Sequence, residues 1–117
     1  MTEYSTVVKV VDEGSGRPLA GLAVTLFDKD QFSRDDRLGS GATDAAGEVA
    51  FAYGERHFVD VEDRISGSLP DLYCVVHAPD GSEAFSTRAE TLDNTPRRQI
   101  VVALPADVVA RHGWAAG

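Results

Sequence analysis

Carboxylate side chains concentrate in one short stretch of the chain, which joins an apolar segment to a segment of small residues. Asp28, Asp30, Asp35 and Asp36 fall within nine consecutive positions. Calcium binds six to eight oxygen ligands, and loops can supply them as carboxylates and backbone carbonyls. The stretch 28–36 is therefore a candidate Ca²⁺ site, and these four aspartates are its candidate metal ligands.

Basic residues lie among these aspartates and support two other interpretations. With Lys29, Arg34 and Arg37, the window 26–39 has a formal charge of only −1. Exposed ion pairs of this kind contribute about 0–1 kcal/mol each, so an ordinary solvated turn accounts for the charges. A charged loop that contacts a protein partner is the third interpretation, and the sequence leaves all three open.

The remaining reactive side chains do not form a recognisable catalytic pattern. Histidines occur at positions 57, 77 and 112 without a closely spaced pair, and no serine lies in a nucleophile-elbow motif. His77 is interpreted as a structural or surface histidine. Cys74 lies in an apolar run, where burial makes a thiol a poor nucleophile. We therefore expect no enzymatic activity, no catalytic residues and no cofactor other than the Ca²⁺ considered above.

Length and charge narrow the class of protein further. The 117 residues predict a single domain over 1–117, with a core at 5–104 and a tail at 105–117. A net charge of −8 without a basic cluster argues against nucleic acid as a partner. No apolar run approaches the roughly 18 residues that span a membrane. With one cysteine and no signal-peptide pattern, we expect a cytoplasmic protein, leaderless export by a secretion machine being the alternative.

Alternating apolar residues and tight turns predict an all-β fold. The predicted strands are 6–12, 22–28, 39–43, 48–53, 71–78, 83–87 and 99–104. Leu22, Val24 and Leu26 share one face at period two and are expected in the core. Strands 39–43 and 48–53 are expected to form a hairpin around a turn at 44–47. The spacing predicts a seven- to eight-stranded, immunoglobulin-like β-sandwich.

Two segments are expected to contain short helices. The connection 55–66 permits one or two helical turns with a thin apolar stripe, and residues 105–113 permit one terminal turn. Val108, Val109 and Trp114 make the tail apolar. The tail is either docked on the sandwich or exposed as an anchor for a protein partner, since aromatic residues are enriched at interaction hot spots. These three residues are the candidate interaction site.

Several motifs together resemble a known family. They are the segments Gly16–Val24, Phe27–Asp30, Asp36–Gly39, Thr43–Gly47 and Pro70–Tyr73. This pattern is similar to the transthyretin-like (prealbumin-like) β-sandwich domains, including modules of the carboxypeptidase-regulatory type, over roughly residues 5–104. The resemblance implies a sandwich used for binding and assembly. Some bacterial relatives resemble modules appended to secretion-machine spike tips, which implies a secretion-associated context.

Three more specific resemblances were tested against the residues. The Tyr-Arg-Gly-Ser motif that ends the transthyretin-related hydrolases has no counterpart in His112–Gly117, and the scattered histidines do not match the iron ligands of intradiol dioxygenases. Asp28, Asp30 and Asp36, followed by Leu38 and Gly39, resemble the Asp-x-Asp-(x)5-Asp calcium loop of synaptotagmin-type phospholipid-binding domains. The other half of that family's site, an upstream loop with further aspartates, has no match near Asp12. Asp35, Asp44, Asp60 or Asp63 would have to complete a calcium site here.

The sequence therefore supports three functional hypotheses. The first is a non-enzymatic binding and assembly module that acts through a protein partner or a homo-oligomer. The second is a calcium-dependent binding domain that uses the Asp28–Asp36 loop. The third, a transthyretin-related hydrolase, is disfavoured because its motif is absent.

Overall fold

The structure is a computed structural model that describes residues 3–29, 35–54, 71–93 and 98–114. It is a β-sandwich, as predicted, and eight strands lie in the described part of the chain. In chain order they are β1 (Glu3–Asp12), β2 (Ala23–Asp28), β3 (Asp36–Ala42), β4 (Glu48–Gly54), β5 (Asp71–His77), β6 (Glu83–Ser86), β7 (Leu92–Asp93) and β8 (Arg98–Leu104). A 3₁₀ turn covers Arg88–Glu90, and helix α1 covers Ala106–Arg111.

Two sheets form the layers of the sandwich. The first has three strands in the order β4-β1-β8, with β1 antiparallel to β4 and parallel to β8. The second has five strands, in the order β3-β2-β5-β6, with β7 also paired to β5. All pairs in the second sheet are antiparallel. The parallel β1–β8 pair brings two segments distant in the sequence together.

Alternate residues of both sheets form the core between the layers. Leu22, Val24 and Leu26 are buried, which confirms the period-two prediction. The other core residues include Leu72, Cys74 and Val76 of the same sheet and, from the three-stranded sheet, Val8, Val10, Phe51, Tyr53, Ile100, Val102 and Leu104. Cys74 is a fully buried core residue, and burial raises the pKa of its thiol to about 12, so it is inert at neutral pH.

The predicted hairpin of 39–43 and 48–53 is wrong. β3 pairs with β2 and β4 pairs with β1, so the two strands belong to different sheets. The turn itself is as predicted, since the Gly47 amide donates to the Asp44 carbonyl at 2.9 Å. β3 packs across β4 instead of pairing with it, because Gly39 and Gly41 have no side chains and let the rings and methyls of the other sheet approach.

The tail is docked in its described part. Val108 and Val109 of α1 are buried, and Trp114 is half-buried against the core. The amide of Trp114 donates to the Val109 carbonyl at 2.9 Å, which closes the end of the helix. The predicted helical turns in connection 55–66 lie outside the described residues. Within the described residues, no helix is long and apolar enough to cross a membrane.

Candidate functional site

The outer face of the five-stranded sheet, which points away from the core, holds the candidate functional side chains. The register pairs Phe27 with Tyr73, Thr25 with Val75 and Ala23 with His77, so these six side chains share that face. Their neighbours in sequence point into the core, as strand alternation requires. Two groups of functional side chains follow from this arrangement.

The first group, here called the Asp35 cluster, consists of Asp35, Tyr73 and Arg88. Oη of Tyr73 donates to Oδ2 of Asp35 at 2.5 Å, and Nε of Arg88 donates to the same oxygen at 2.8 Å. The Arg88 guanidinium also lies 5.8 Å from the centroid of the Tyr73 ring, within cation–π range. The ring of Phe27, the cross-strand partner of Tyr73, stacks on the Tyr73 ring with 5.2 Å between the ring centroids.

The pKa values of Tyr73 and Arg88 are shifted in the direction that preserves the hydrogen bonds of the Asp35 cluster. Burial, followed by the hydrogen bond to the Asp35 carboxylate and its negative charge, raises the pKa of Tyr73 to about 12. The hydrogen bond to Asp35, followed by its charge, raises the pKa of Arg88. Tyr73 is therefore a neutral donor and Arg88 a cation at every physiological pH.

Asp28 faces the core side of β2, as its phase predicts. Its carboxylate is buried, and Oδ1 accepts a 3.1 Å hydrogen bond from the Asp71 amide at the start of β5. A buried carboxylate needs such donors because losing its hydration is costly. Asp28 thus ties the end of β2 to the start of β5.

The four predicted calcium ligands are placed differently from one another. Asp28 and Asp35 use carboxylate oxygens to accept hydrogen bonds from the protein, Asp30 lies outside the described residues, and Asp36 begins β3 with a side chain that is not described. Among the described residues, no group of three or more His, Cys, Asp and Glu side chains is arranged to hold a metal ion. The calcium site stays a prediction.

The second group lines a groove of about 760 Å³ on the outer face, here called the groove, which extends from Arg37, opposite Phe27, to the turn after β5. Its lining residues are Gly21, Leu22, Ala23, Val24, Thr25, Arg37, Ser40, Gly41, Ala42, His77, Ala78, Pro79, Gly81 and Trp114. Small residues leave the space open, since Ser40 lies opposite Thr25 and Ala42 opposite Ala23 in the register.

A hydroxyl–imidazole pair lies in the groove. Thr25 Oγ1 is 2.8 Å from His77 Nε2, and His77 Nδ1 is 3.2 Å from the Gly81 carbonyl oxygen. A carbonyl only accepts, so Nδ1 donates to the Gly81 carbonyl, whereas either atom of the Thr25–His77 pair can be the donor.

Trp114 closes one side of the groove and connects it to the tail. Its indole stacks on the imidazole of His112 at 4.6 Å between ring centroids. Of the predicted interaction residues, Val108 and Val109 are covered by the chain itself, and Trp114 reaches the groove. The prediction that a partner contacts these residues stays a prediction.

Sequence reasoning missed two of the residues that complete these groups. Arg88 stood in a polar loop with no periodic signal, and Thr25 was one of several outward residues of its strand. The period-two alternation did place Tyr73 and His77 on one face. The cross-strand register was needed to bring Thr25 to His77 and Asp35 to Tyr73.

Comparisons with known proteins agree on the fold. No family model matches the sequence, and no curated protein matches it either. Solved structures do match: a 9R-lipoxygenase from Cyanothece PCC8801 has a TM-score of 0.56 and 18% identity over 88% of this chain. This chain spans only 16% of that lipoxygenase.

Two further structures match over most of this chain. The shaft pilin SpaA from Lactobacillus rhamnosus GG has a TM-score of 0.52 and 12% identity, covering 89% of this chain and 49% of the pilin. An intradiol ring-cleavage dioxygenase from Tetranychus urticae has a TM-score of 0.52 and 13% identity, covering 89% of this chain and 81% of the dioxygenase. Identities this low show the fold alone.

The family resemblance is supported only at the level of the β-sandwich. Transthyretin from Sparus aurata is among the similar structures, with a TM-score of 0.47 and 16% identity over 86% of this chain and 89% of transthyretin. A TM-score at that level carries no argument about ligand or assembly. The fold and the comparisons therefore define the class of this chain as a β-sandwich.

Proposed function

We propose that this chain is a non-enzymatic binding and assembly module, and that copies of it associate through the free edge of β8. The observation that carries this proposal is the chemistry of that edge. In the described part of the chain, β8 pairs with β1 alone, so its other side has no partner strand among those residues. An open strand edge offers unpaired backbone groups to any extended chain.

The β8 edge lacks the features that usually protect an edge strand. Gln99–Leu104 contains no charged residue and no proline, and its pairing with β1 runs through seven consecutive partners without a bulge. Val101 is 59% exposed, and it is the only large hydrophobic side chain exposed to that degree among the described residues. Natural sheets normally carry charges, prolines or bulges at such edges to prevent association.

The other edge strands are better protected. β3 has Arg37 and a bulge opposite Leu26–Phe27, and β6 has only four residues and a second bulge. β4 lies under β3, whose Gly39 and Gly41 pack against Phe51 and Val49. β8 is thus the edge best suited to accept a partner strand.

A second copy of the chain satisfies the pairing requirements of this edge. Two β8 strands can pair antiparallel around a two-fold axis, so that the same edge of each copy binds the other copy. With the axis near Val101 and Val102, the Arg98 residues lie at opposite ends of the pair and do not repel each other. Uncharged residues fill the centre, and Val101 gains a cross-strand apolar neighbour.

The test is the oligomeric state of the wild type and of two lysine variants. Light scattering after gel filtration, over a concentration series from micromolar to near-millimolar, measures the mass of each species. Val101→Lys places a charge on the proposed edge. Ala52→Lys is the matched control, because Ala52 is an exposed residue on the opposite edge of the same sheet.

We expect a concentration-dependent dimer in the wild type and in Ala52→Lys, and a monomer in Val101→Lys. A wild type that remains monomeric throughout the series would contradict self-association. A dimer that persists in Val101→Lys would place the interface elsewhere. This experiment assumes that residues 1–117 form a single domain, which stays a prediction.

A further inference from the structure

The described part of the tail ends in a histidine–tryptophan pair whose attraction depends on charge. The rings of His112 and Trp114 stack with 4.6 Å between their centroids and 26° between their planes. A cation within about 6 Å of an aromatic centroid is attracted to the face of the ring, and tryptophan is the best partner. Histidine side chains titrate near pH 6.5, so this stack gains a charge interaction only when His112 is protonated.

The turn after β5 places a carboxylate near this pair. Hydrogen bonds from the hydroxyl and the amide of Ser82, at 2.6 and 2.9 Å, lower the pKa of Asp80, and the charge of His112 lowers it to a smaller extent. Asp80 is therefore ionised at neutral pH. The interaction is mutual, because a carboxylate that a nearby cation stabilises also favours the charged form of that cation. The negative charge of Asp80 thus favours the protonated form of His112.

Other charged groups lie on each side of the pair. On α1, the Asp107 carboxylate and the Arg111 guanidinium form an exposed ion pair at 3.7 Å, so their charges largely offset each other. On the sheet, Arg37 and His77 line the groove together with Trp114. His77 is therefore a second group whose charge changes at the groove over the same pH range, and an experiment has to separate the two histidines.

The pair lies where the tail meets the sandwich. Trp114 is half-buried against the core, and its amide donates to the carbonyl of Val109, which is itself buried. The amide of His112 donates to the Val108 carbonyl at 3.3 Å. Asp80 belongs to the other sheet's loops, so only a docked tail brings His112 near it. A charge on His112 therefore acts on the docked tail more than on a detached one.

We propose that the tail is a pH-sensitive latch that is docked more tightly when His112 is protonated. The imidazolium is attracted to the Trp114 ring and to the Asp80 carboxylate, whereas the neutral imidazole has neither charge interaction. This contribution is fully present below about pH 6.5 and is lost as pH rises towards 8. The tail is then held by apolar packing, and the Trp114 side of the groove opens more often. The latch does not require β8 to bind a partner.

Hydrogen exchange of tail amides, followed by NMR at pH 5.5 and 7.5, measures how often the tail opens. The reporters are the amides of Val109 and Trp114, which donate to the carbonyls of Pro105 and Val109. Protection factors correct for the pH dependence of intrinsic exchange. The full chain is used at low concentration, which keeps association out of the measurement. In the wild type we expect protection at pH 5.5 to exceed that at pH 7.5 by about two- to fivefold, the equivalent of one exposed cation–π contact.

Two pairs of variants assign this difference to its groups. His112→Gln should abolish the pH dependence and leave the protection of the wild type at pH 7.5, whereas His77→Gln, the matched control in the groove, should keep the dependence. Asp80→Asn should reduce the difference. Glu90→Gln, which removes an exposed carboxylate in the 3₁₀ turn, should have no effect.

Each opposite result overturns part or all of the proposal. Equal protection at both pH values in the wild type would exclude the latch. A difference that persists in His112→Gln, or that disappears in His77→Gln, would exclude His112 as the titrating group. A full difference in Asp80→Asn would exclude the role of Asp80. If His112→Gln detaches the tail at both pH values, His112→Phe decides the outcome, because it keeps a ring against Trp114 and carries no charge.

Discussion

The phenolic hydroxyl of Tyr73 and the carboxylate of Asp35 are joined by a 2.5 Å hydrogen bond between residues 38 positions apart. Oδ2 of Asp35 also accepts from Nε of Arg88, so one oxygen joins the entry to β3, the centre of β5 and the turn after β6. Asp35 is therefore anchored to the outer face of the sheet.

Removing the phenolic hydroxyl should cost stability without breaking the ion pair. Tyr73→Phe removes one hydrogen bond to a charged acceptor, and we expect a loss of about 1–2 kcal/mol in the free energy of unfolding. Urea denaturation measures it. Asp35→Asn and the double variant complete a double-mutant cycle. If the costs of the two single variants add within about 0.5 kcal/mol, the two side chains are not coupled and the prediction fails.

Alkaline pH should destabilise the protein through the same residue. Because the pKa of Tyr73 in the folded state is raised to about 12, the folded state holds this proton more tightly than the unfolded chain, whose tyrosines titrate near pH 10. This contribution to stability is present below about pH 10 and is lost as pH rises towards 12. Denaturation at pH 9–12 should show a smaller decline in Tyr73→Phe than in wild type. Identical slopes would contradict the assignment.

Two glycines with the same backbone conformation should respond differently to alanine. Gly47 and Gly16 have φ of +75° and +73°. A Cβ on Gly47 would lie 2.8 Å from Pro18 Cβ and from the Val10 carbonyl oxygen, whereas nothing lies within 4 Å at Gly16. Gly16→Ala should cost about 1–2 kcal/mol from the left-handed conformation alone, and Gly47→Ala should cost more. Equal costs in chemical denaturation would show that the turn relaxes freely.

The docked tail should contribute to folding. Val109 in α1 is 2% exposed and Val101 in β8 is 59% exposed, so the same Val→Ala change tests burial alone. Val109→Ala should cost about 1–3 kcal/mol through lost packing, and Val101→Ala about 0.5 kcal/mol or less. Thermal unfolding monitored by calorimetry compares the two at low protein concentration, which keeps association out of the measurement. A negligible effect at Val109 would mean that the tail is not docked in solution.

The calcium hypothesis makes a separate prediction about the acidic stretch. Calcium at 100 times its dissociation constant should stabilise the fold by about 2.7 kcal/mol relative to chelator, and Asp30→Asn should abolish the effect. For a domain near this size, each kcal/mol moves the melting temperature by roughly 4–8 °C. Lys29→Gln, which removes a neighbouring charge of the opposite sign, is the control variant. No shift in the wild type would leave the stretch as an ordinary charged turn.

Local patterns in the sequence were sufficient to predict the core and seven of the eight described strands, but not the two-residue strand β7. Leu22, Val24 and Leu26 point inward because strand alternation is a property of the backbone, independent of the partner strand. The turn at Asp44–Gly47 was equally readable, since Asp accepts from the backbone ahead and Gly adopts a positive φ. The same turn was assigned to a hairpin in error, because its geometry does not specify whether the chain returns to the same sheet or crosses to the other.

Tertiary structure alone decided which polar groups meet. The sequence by itself determined an acidic β-sandwich with an acidic stretch and an apolar tail. Asp35 and Tyr73 are joined only because β5 lies beside β2, and Thr25 meets His77 only through the same register. These contacts depend on pairings between strands far apart in the chain. Periodicity reports which side of a strand faces the core, but not which strand lies next to it.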